Sequence, residues 1–335
     1  MRRLEYLSPT SVSSFFNEPA EFYLQRLCDV RPPKFKQTKP MAIGSGFDAY
    51  VKCYLYEKLI GKKNPKFDTK NLLQEQIETE DPDLYSWVVE EAAYVFICYK
   101  ECGALAALMQ DLGKGINTRV EATVRGTVEG VPLLGKPDLS LRIREEGMTI
   151  EQALTADIFI LDWKVNGYCS RSPVSPKKGY VTTRSCHQFR GLGREHREAE
   201  LELKNGILYN KASCLSEIDK SWAAQTCTYA WLLGAKPGSN ILCGIDQLAC
   251  KPIPEGRPWI RVASYRNFVS KDYQRILLKK YKECWDILTR DEKDVDEYFR
   301  SVGVDPDGLK KEADMLAKLK EGDKNDQWLL NSFGR

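Results

Sequence analysis

The sequence predicts an α/β fold: a mixed central β-sheet flanked by helices, with a helical elaboration before it and a helical tail after it. Three observations carry this. From Thr118 the apolar residues recur with period two through most of the stretch up to Val165, as in strands. A helical pattern, Trp222 to Leu233, then separates these strands from two more, and strands with a helix between them form a mixed sheet with helices on its faces. Both ends of the chain, finally, read as helices.

Ser8-Pro-Thr-Ser11 supplies N-cap side chains for a short helix from Val12 to Asn17, and Pro19 opens another through Leu27. Arg31-Pro-Pro-Lys breaks the pattern. Met41 to Asp48 leads into a helix over Ala49–Leu59 closed by Gly61. Asp81-Pro-Asp83 caps a long helix running to about Gln110, with Trp87, Val88, Ala92, Val95, Phe96, Tyr99 and Leu105 as its core stripe. Val120, Ala122 and Val124 alternate with Glu121, Thr123 and Arg125, and the Glu129-Gly130 turn makes a hairpin with the strand holding Asp138. Glu121 reads as an exposed strand residue, with an auxiliary metal ligand as the alternative. Residues 166–220 are basic and polar, without a clear strand or helix period. Strands follow at Asn240–Cys250 and Trp259–Val269, and the tail from Ser270 is helical and charged.

At 335 residues the chain is long for one core, so one elaborated domain or two are expected. The pattern divides it into a helical region (1–117), a core (118–269) with a basic insertion at about 166–220, and a C-terminal helical region (270–335). Net charge is only +3, so any nucleic-acid footprint must be local. The eleven cysteines form no Cys-x-x-Cys pair and read as free thiols of a reducing cytoplasm. No apolar run approaches the roughly 18–20 residues that span a membrane, and no secretory leader is visible at the start.

The chemistry concentrates in Gly135-Lys-Pro-Asp138 and Ile158-Phe-Ile-Leu-Asp162-Trp-Lys164-Val. On the second strand Phe159, Leu161, Trp163 and Val165 share one face, and Ile158, Ile160, Asp162 and Lys164 share the other. A buried acid and amine must be paired or bound to metal. With Asp138 on the neighbouring strand, two carboxylates and one lysine make a hard-cation site with an amine beside it. Other matches are structural: Asp291-Glu-Lys293 lies in a polar helix, and Pro82-Asp83 and Pro306-Asp307 are helix starts. Gly130 to Lys136 imitates a phosphate loop, but Pro137 takes the Ser/Thr place and has no N–H for phosphate.

These residues resemble the PD-(D/E)XK nuclease superfamily, in particular its RecB-like exonuclease branch with stand-alone phage and CRISPR-associated members. Gly135-Lys-Pro-Asp138 and Asp162-Trp-Lys164 resemble its motifs II and III, Gln225-Thr-Cys-Thr-Tyr229 its Gln-x-x-x-Tyr motif, Ile43 to Asp48 its Gly-x-x-x-His helix, and Ser11 to Tyr23 its opening helix. The resemblance implies a restriction-endonuclease-like αβββαβ core and a metal-dependent deoxyribonuclease, an exonuclease of recombination, repair or replication. Asp138, Asp162 and Lys164 would be catalytic, and Asp48, Asp138 and Asp162 would hold the metal. Asp48 replaces the family's histidine, and an all-oxygen shell suits Mg²⁺, with Mn²⁺ as a substitute. Glu18-Pro19 replaces the opening Cys-Pro and no cysteine trio closes the chain, so no iron–sulfur cluster is expected. Gln225 and Tyr229, one helical turn apart, would contact DNA or pack on the sheet. Lys177, Lys178, Arg184 and Arg190, interleaved with Tyr180 and Phe189, read either as a DNA track or as a solvated loop. DNA and a recombination or replication protein are the implied partners, in the cytoplasm of a host if the chain is phage-encoded. A noncatalytic DNA-binding scaffold and a structure-specific endonuclease are the alternatives.

Overall fold

The computed structural model describes residues 1–32, 37–61, 64–79, 81–113, 115–143, 157–166, 181–185, 188–192, 201–204, 207–210, 214–251 and 259–321. In chain order these carry α1 (Pro9–Asn17), α2 (Pro19–Phe22), α3 (Lys39–Ile60), α4 (Thr69–Gln76), α5 (Pro82–Glu101), α6 (Ala104–Leu112), β1 (Gly115–Val120), β2 (Val124–Val128), β3 (Val131–Gly135), β4 (Leu139–Ile143), β5 (Ile158–Asn166), β6 (Val181–Ser185), β7 (Gln188–Leu192), β8 (Leu201–Lys204) and β9 (Ile207–Asn210). There follow α7 (Leu215–Ile218), α8 (Lys220–Leu232), β10 (Ile241–Lys251), β11 (Trp259–Phe268), α9 (Lys271–Leu288), α10 (Glu292–Ser301) and α11 (Pro306–Glu321).

The contacts gather these elements into two units that cut across the three consecutive regions of the sequence. The larger unit, Lys36–Val124 with Lys136–Gln274, is built on a mixed sheet. Its strand order is β1-β4-β5-β10-β11-β6-β7, with β9 also pairing β11 and β8 pairing β9. β4 runs antiparallel to β1 and β5, β10 runs parallel to β5, and β11 returns antiparallel to β10. β5 is apolar on both faces for its first four residues because it lies inside the sheet, between β4 and β10. One face, with Phe159, Leu161 and Trp163, shares its core with Phe47 and Leu55 of α3, Val95 and Tyr99 of α5, and Leu105 and Leu108 of α6. Beneath it, the Tyr99 hydroxyl donates to Asp246 Oδ2, and the Trp163 indole N–H donates to the Tyr99 oxygen at 3.3 Å. Asp246 Oδ1 accepts from Ser264 Oγ at 2.9 Å and from Arg266 Nη1 at 2.8 Å, so this buried carboxylate is paired.

The smaller unit comprises Met1–Phe35, Arg125–Gly135 and Arg275–Arg335. Ser8 caps α1, which starts at Pro9 and not at Val12, and Ser11 completes a capping box with it. Phe15, Phe22, Tyr23 and Phe299 make an aromatic cluster, and the Tyr23 hydroxyl donates to Asp296 Oδ1 at 2.6 Å.

Four sequence expectations change. The helix from residue 82 does not run unbroken to Gln110; it ends at Glu101, and Gly103, at φ 90°, turns the chain into α6. The strand expected across Glu121 is interrupted, because Glu121 takes φ 46°, outside the strand region. The Glu129-Gly130 hairpin therefore joins β2 to β3, and Asp138 stands in the bend before β4 rather than on it. Finally, segment 166–220 contains β6 to β9 and α7. Its strands are short, β6 and β9 pairing with β11, β7 with β6 and β8 with β9, so no long alternation marks them.

No single helix among the described residues is long and apolar enough to cross a membrane.

Candidate active site

Strand register assembles the site. Leu139 of β4 faces Leu161 of β5 and Val120 of β1, so the next row sets Asp138 opposite Asp162 on one side and Glu121 on the other. The Glu121 amide donates to the Asp138 carbonyl at 2.8 Å and closes this row. Three carboxylates thus come from three neighbouring chain segments, all at one end of the sheet.

Helix α3 adds the fourth. Asp48 and Lys52 lie one turn apart and form an ion pair. Lys52 Nζ also reaches Asp138 Oδ1 at 2.8 Å and Glu121 Oε2 at 3.4 Å, and the residue is 3% exposed. Lys136 pairs with the other Glu121 oxygen. On β5, Lys164 pairs with Asp162 and donates to Gln225 Oε1 at 3.0 Å. Gln225 in turn donates from Nε2 to the Tyr229 oxygen at 3.0 Å. α8 is held in this position by the Asp219 N-cap and by buried Trp222, Ala223, Cys227 and Ala230.

The electrostatics follow from crowding. Burial pushes Asp162 well above the usual carboxylate range, and the charge and hydrogen bond of Asp138 add to this. Asp138 is buried too, but the Lys52 charge and the hydrogen bond from Asp162 outweigh that and hold it at about 2. Burial, with the Asp138 charge behind it, raises Asp48 to about 7, although Lys52 pulls the other way. For Lys52, burial works against the charge, yet Asp138, Asp48 and Glu121 together hold the ammonium far above its ordinary value. Burial would raise Glu121, but Lys52 and Lys136 leave it lowered.

The row opens on a cleft of ≈ 460 Å³ lined by Asp48, Lys52, Lys136, Asp138, Asp162, Trp163 and Lys164 together with Glu75, Gln76 and Glu78. The structure therefore brings Asp48, Asp138, Asp162, Lys164, Gln225 and Tyr229 to one place. Lys177 and Lys178 lie outside the described residues, and Arg184 on β6 and Arg190 on β7 are described as backbone. Glu121 is not the exposed strand residue expected: its left-handed backbone turns it inward, and it is 3% exposed. Sequence reasoning missed Lys52 altogether. The signal was there, a lysine one turn after Asp48 inside the apolar run Ala49-Tyr-Val-Lys-Cys-Tyr-Leu, where an unpaired charge could not be buried.

A divalent ion suits the donor set. Asp138 and Asp162 stand opposite each other, their crowding helps to raise Asp162, and a hard cation between two such carboxylates would offset their repulsion. Among the described residues no three His, Cys, Asp or Glu side chains converge as a ready ligand set. Asp48 and Glu121 instead turn to Lys52.

Fold and cleft define a mixed α/β protein with a carboxylate–lysine site at one end of its sheet. No family model matches the chain, and no curated protein does. Among solved structures it is similar to a crystal structure of a proposed exonuclease from Eubacterium rectale, at 13% identity, over 85% of this chain and 80% of that one, with a TM-score of 0.37. That similarity is distant, and the reading below rests on the side chains of the cleft.

Proposed function

We propose that the chain is a divalent-metal-dependent deoxyribonuclease of the PD-(D/E)XK type, a RecB-like exonuclease acting on DNA in recombination, repair or replication. One observation carries the reading: Asp138, in the bend before β4, stands opposite Asp162 of β5, with Lys164 two residues along the same face of that strand. Asp138 and Asp162 would hold Mg²⁺, which when bound supplies Lewis acidity toward the scissile phosphate and its attacking water. Lys164 presents its ammonium beside Asp162, where it can orient that water or meet the charge that develops on phosphate. Gln225, braced by Tyr229, fixes the direction of the Lys164 side chain, so this pair serves as positioning residues from a rigid helix. Asp48, expected as a third metal ligand, acts on the same centre through Lys52.

The test is incubation of the purified protein with Mg²⁺ and linear or circular DNA, each single- and double-stranded. Expected are hydrolysis of linear DNA, no hydrolysis in chelator, and loss of activity in Asp138→Asn, Asp162→Asn and Lys164→Ala chains that keep their circular dichroism. Linear DNA left intact by folded protein at saturating Mg²⁺ refutes the reading.

A further inference from the structure

We infer that Lys52 is a built-in cation that fills the second cation position of this centre, so that the site takes one divalent ion and not two. The inference rests on the metal-centre reading above and deepens it. Three observations carry it. First, the Lys52 ammonium is the point on which Asp48, Glu121 and Asp138 converge, from a helix, from the turn after β1 and from the bend before β4. Carboxylates from separate elements aimed at one buried point are how a protein coordinates a cation, and here the cation is a side chain. Second, Glu121 reaches it from a left-handed backbone, a conformation that a residue with a side chain rarely adopts. The surrounding fold sustains that conformation and so keeps the carboxylate on the lysines. Third, the charges count out. Asp48, Glu121, Asp138 and Asp162 carry four negative charges when ionised, and Lys52, Lys136 and Lys164 carry three positive ones. A single dication over-neutralises the remainder, and a second would add to an already positive site of low dielectric. Asp138 belongs to both groups, with Oδ1 turned to Lys52. It ties the fixed cation to the exchangeable one.

Two-metal phosphodiester chemistry clamps both the attacking and the leaving oxygen with metal ions. In this cleft Lys52 would take the electrostatic part of the second ion without exchanging, and Asp48 and Glu121 would be its holders, not metal ligands.

The experiment is a titration of the full chain, freed of metal by chelation and dialysis, with Mn²⁺ alone, free ion being read by electron paramagnetic resonance. Wild-type protein is expected to bind one Mn²⁺. Asp48→Asn should leave the affinity for that ion within about threefold, whereas Asp162→Asn should weaken it by at least the roughly 100-fold that lost outer-shell partners can reach. Lys52→Met, which keeps the aliphatic stem and removes the charge, should bind a second ion, and adding Asp48→Asn to it should abolish that second site. If Lys52→Met fails to fold, the wild-type stoichiometry and the Asp48→Asn affinity still decide. Two ions on the wild type, an Asp48→Asn loss as large as that of Asp162→Asn, or a folded Lys52→Met chain that binds one ion overturns the inference and leaves the metal-centre reading standing. A wild-type chain that binds no Mn²⁺ overturns both.

Discussion

Replacing Tyr99 by Phe tests what holds β5 in place behind the cleft. The ring can stay, since its edge-to-face contact with Phe47, 5.6 Å between centroids, does not involve the hydroxyl. What goes is a buried hydroxyl that donates to the Asp246 carboxylate and accepts from the Trp163 indole. Burial, and then the neighbouring Asp246 charge, raises the phenol well above its ordinary value, so it remains a donor wherever the protein is folded. A hydrogen bond to a charged group is worth about 1.5–3 kcal/mol, and an orphaned buried N–H costs about 1–3 kcal/mol. The indole bond is long at 3.3 Å, which argues for the low end of its range. The sum is roughly 2.5–4 kcal/mol, a large share of the about 5–15 kcal/mol that stabilises a typical domain. Urea unfolding followed by circular dichroism should show the midpoint falling with the slope unchanged. Ser264→Ala should cost less, about 1.5 kcal/mol, since it strands no buried N–H and Asp246 keeps Tyr99 and Arg266. A Tyr99→Phe chain within about 1 kcal/mol of wild type would refute this account of the buried network.

Gly46→Ala places a Cβ 2.6 Å from the Ala92 Cβ, where α3 meets α5. Overpacking of about 1–3 kcal/mol should exceed the roughly 1 kcal/mol gained in helix propensity, and Ala92→Gly should restore stability in the double variant; a Gly46→Ala chain as stable as wild type speaks against so tight an approach. In chelator, Asp48 at about 7 has its folded value above its unfolded one, so its protonation stabilises the fold at low pH and this stabilisation is lost as pH rises through about 7. Asp162 acts in the same direction, while Asp138, held at about 2, acts oppositely and only below about pH 4. The thermal midpoint should therefore climb from about pH 8 down to about pH 5, less steeply in Asp48→Asn; a midpoint falling over that window counts against the crowding described. Neutralising Lys177, Lys178, Arg184 and Arg190 together should flatten the salt dependence of DNA affinity by roughly 0.7–0.9 per lost phosphate contact, and an unchanged slope would make the segment an ordinary solvated loop.

The centre of the sheet was legible because β5 satisfies two demands at once. Ile158 to Leu161 are apolar on both faces, which marks an interior strand, and the alternation that follows puts Asp162 and Lys164 on one side. Once β4 and β5 are taken as neighbours, the opposition of Asp138 and Asp162 needs only the register. Lys52 was not legible in the same way, because its three partners come from three places and its own stretch of α3 reads as a core helix with one interruption. Glu121 failed for a local reason: alternation assigns it outward, and nothing in the pattern announces the left-handed backbone that turns it in. β6 to β9 escaped notice because strands of four or five residues are too short to show an alternation, and β6 and β9 take their register from a distant partner, β11.

The parallel pairing of β5 with β10 also sets how much chain each contact in the sheet must enclose, and with it the order of assembly that loop closure favours. Ile158 pairs with Ile241, so that ladder encloses the whole stretch containing β6 to β9, α7 and α8, whereas β4 and β5 are separated by only the 14 residues between Ile143 and Ile158. Long loops close slowly, and their entropy is lost before any contact rewards it. As the chain folds, the two aspartates can therefore meet first, while the helix that aims Lys164 arrives with the crossover. Acid pair and amine thus depend on different spans of chain, the aspartates on a nearby strand pair and the amine on a helix brought in by the crossover.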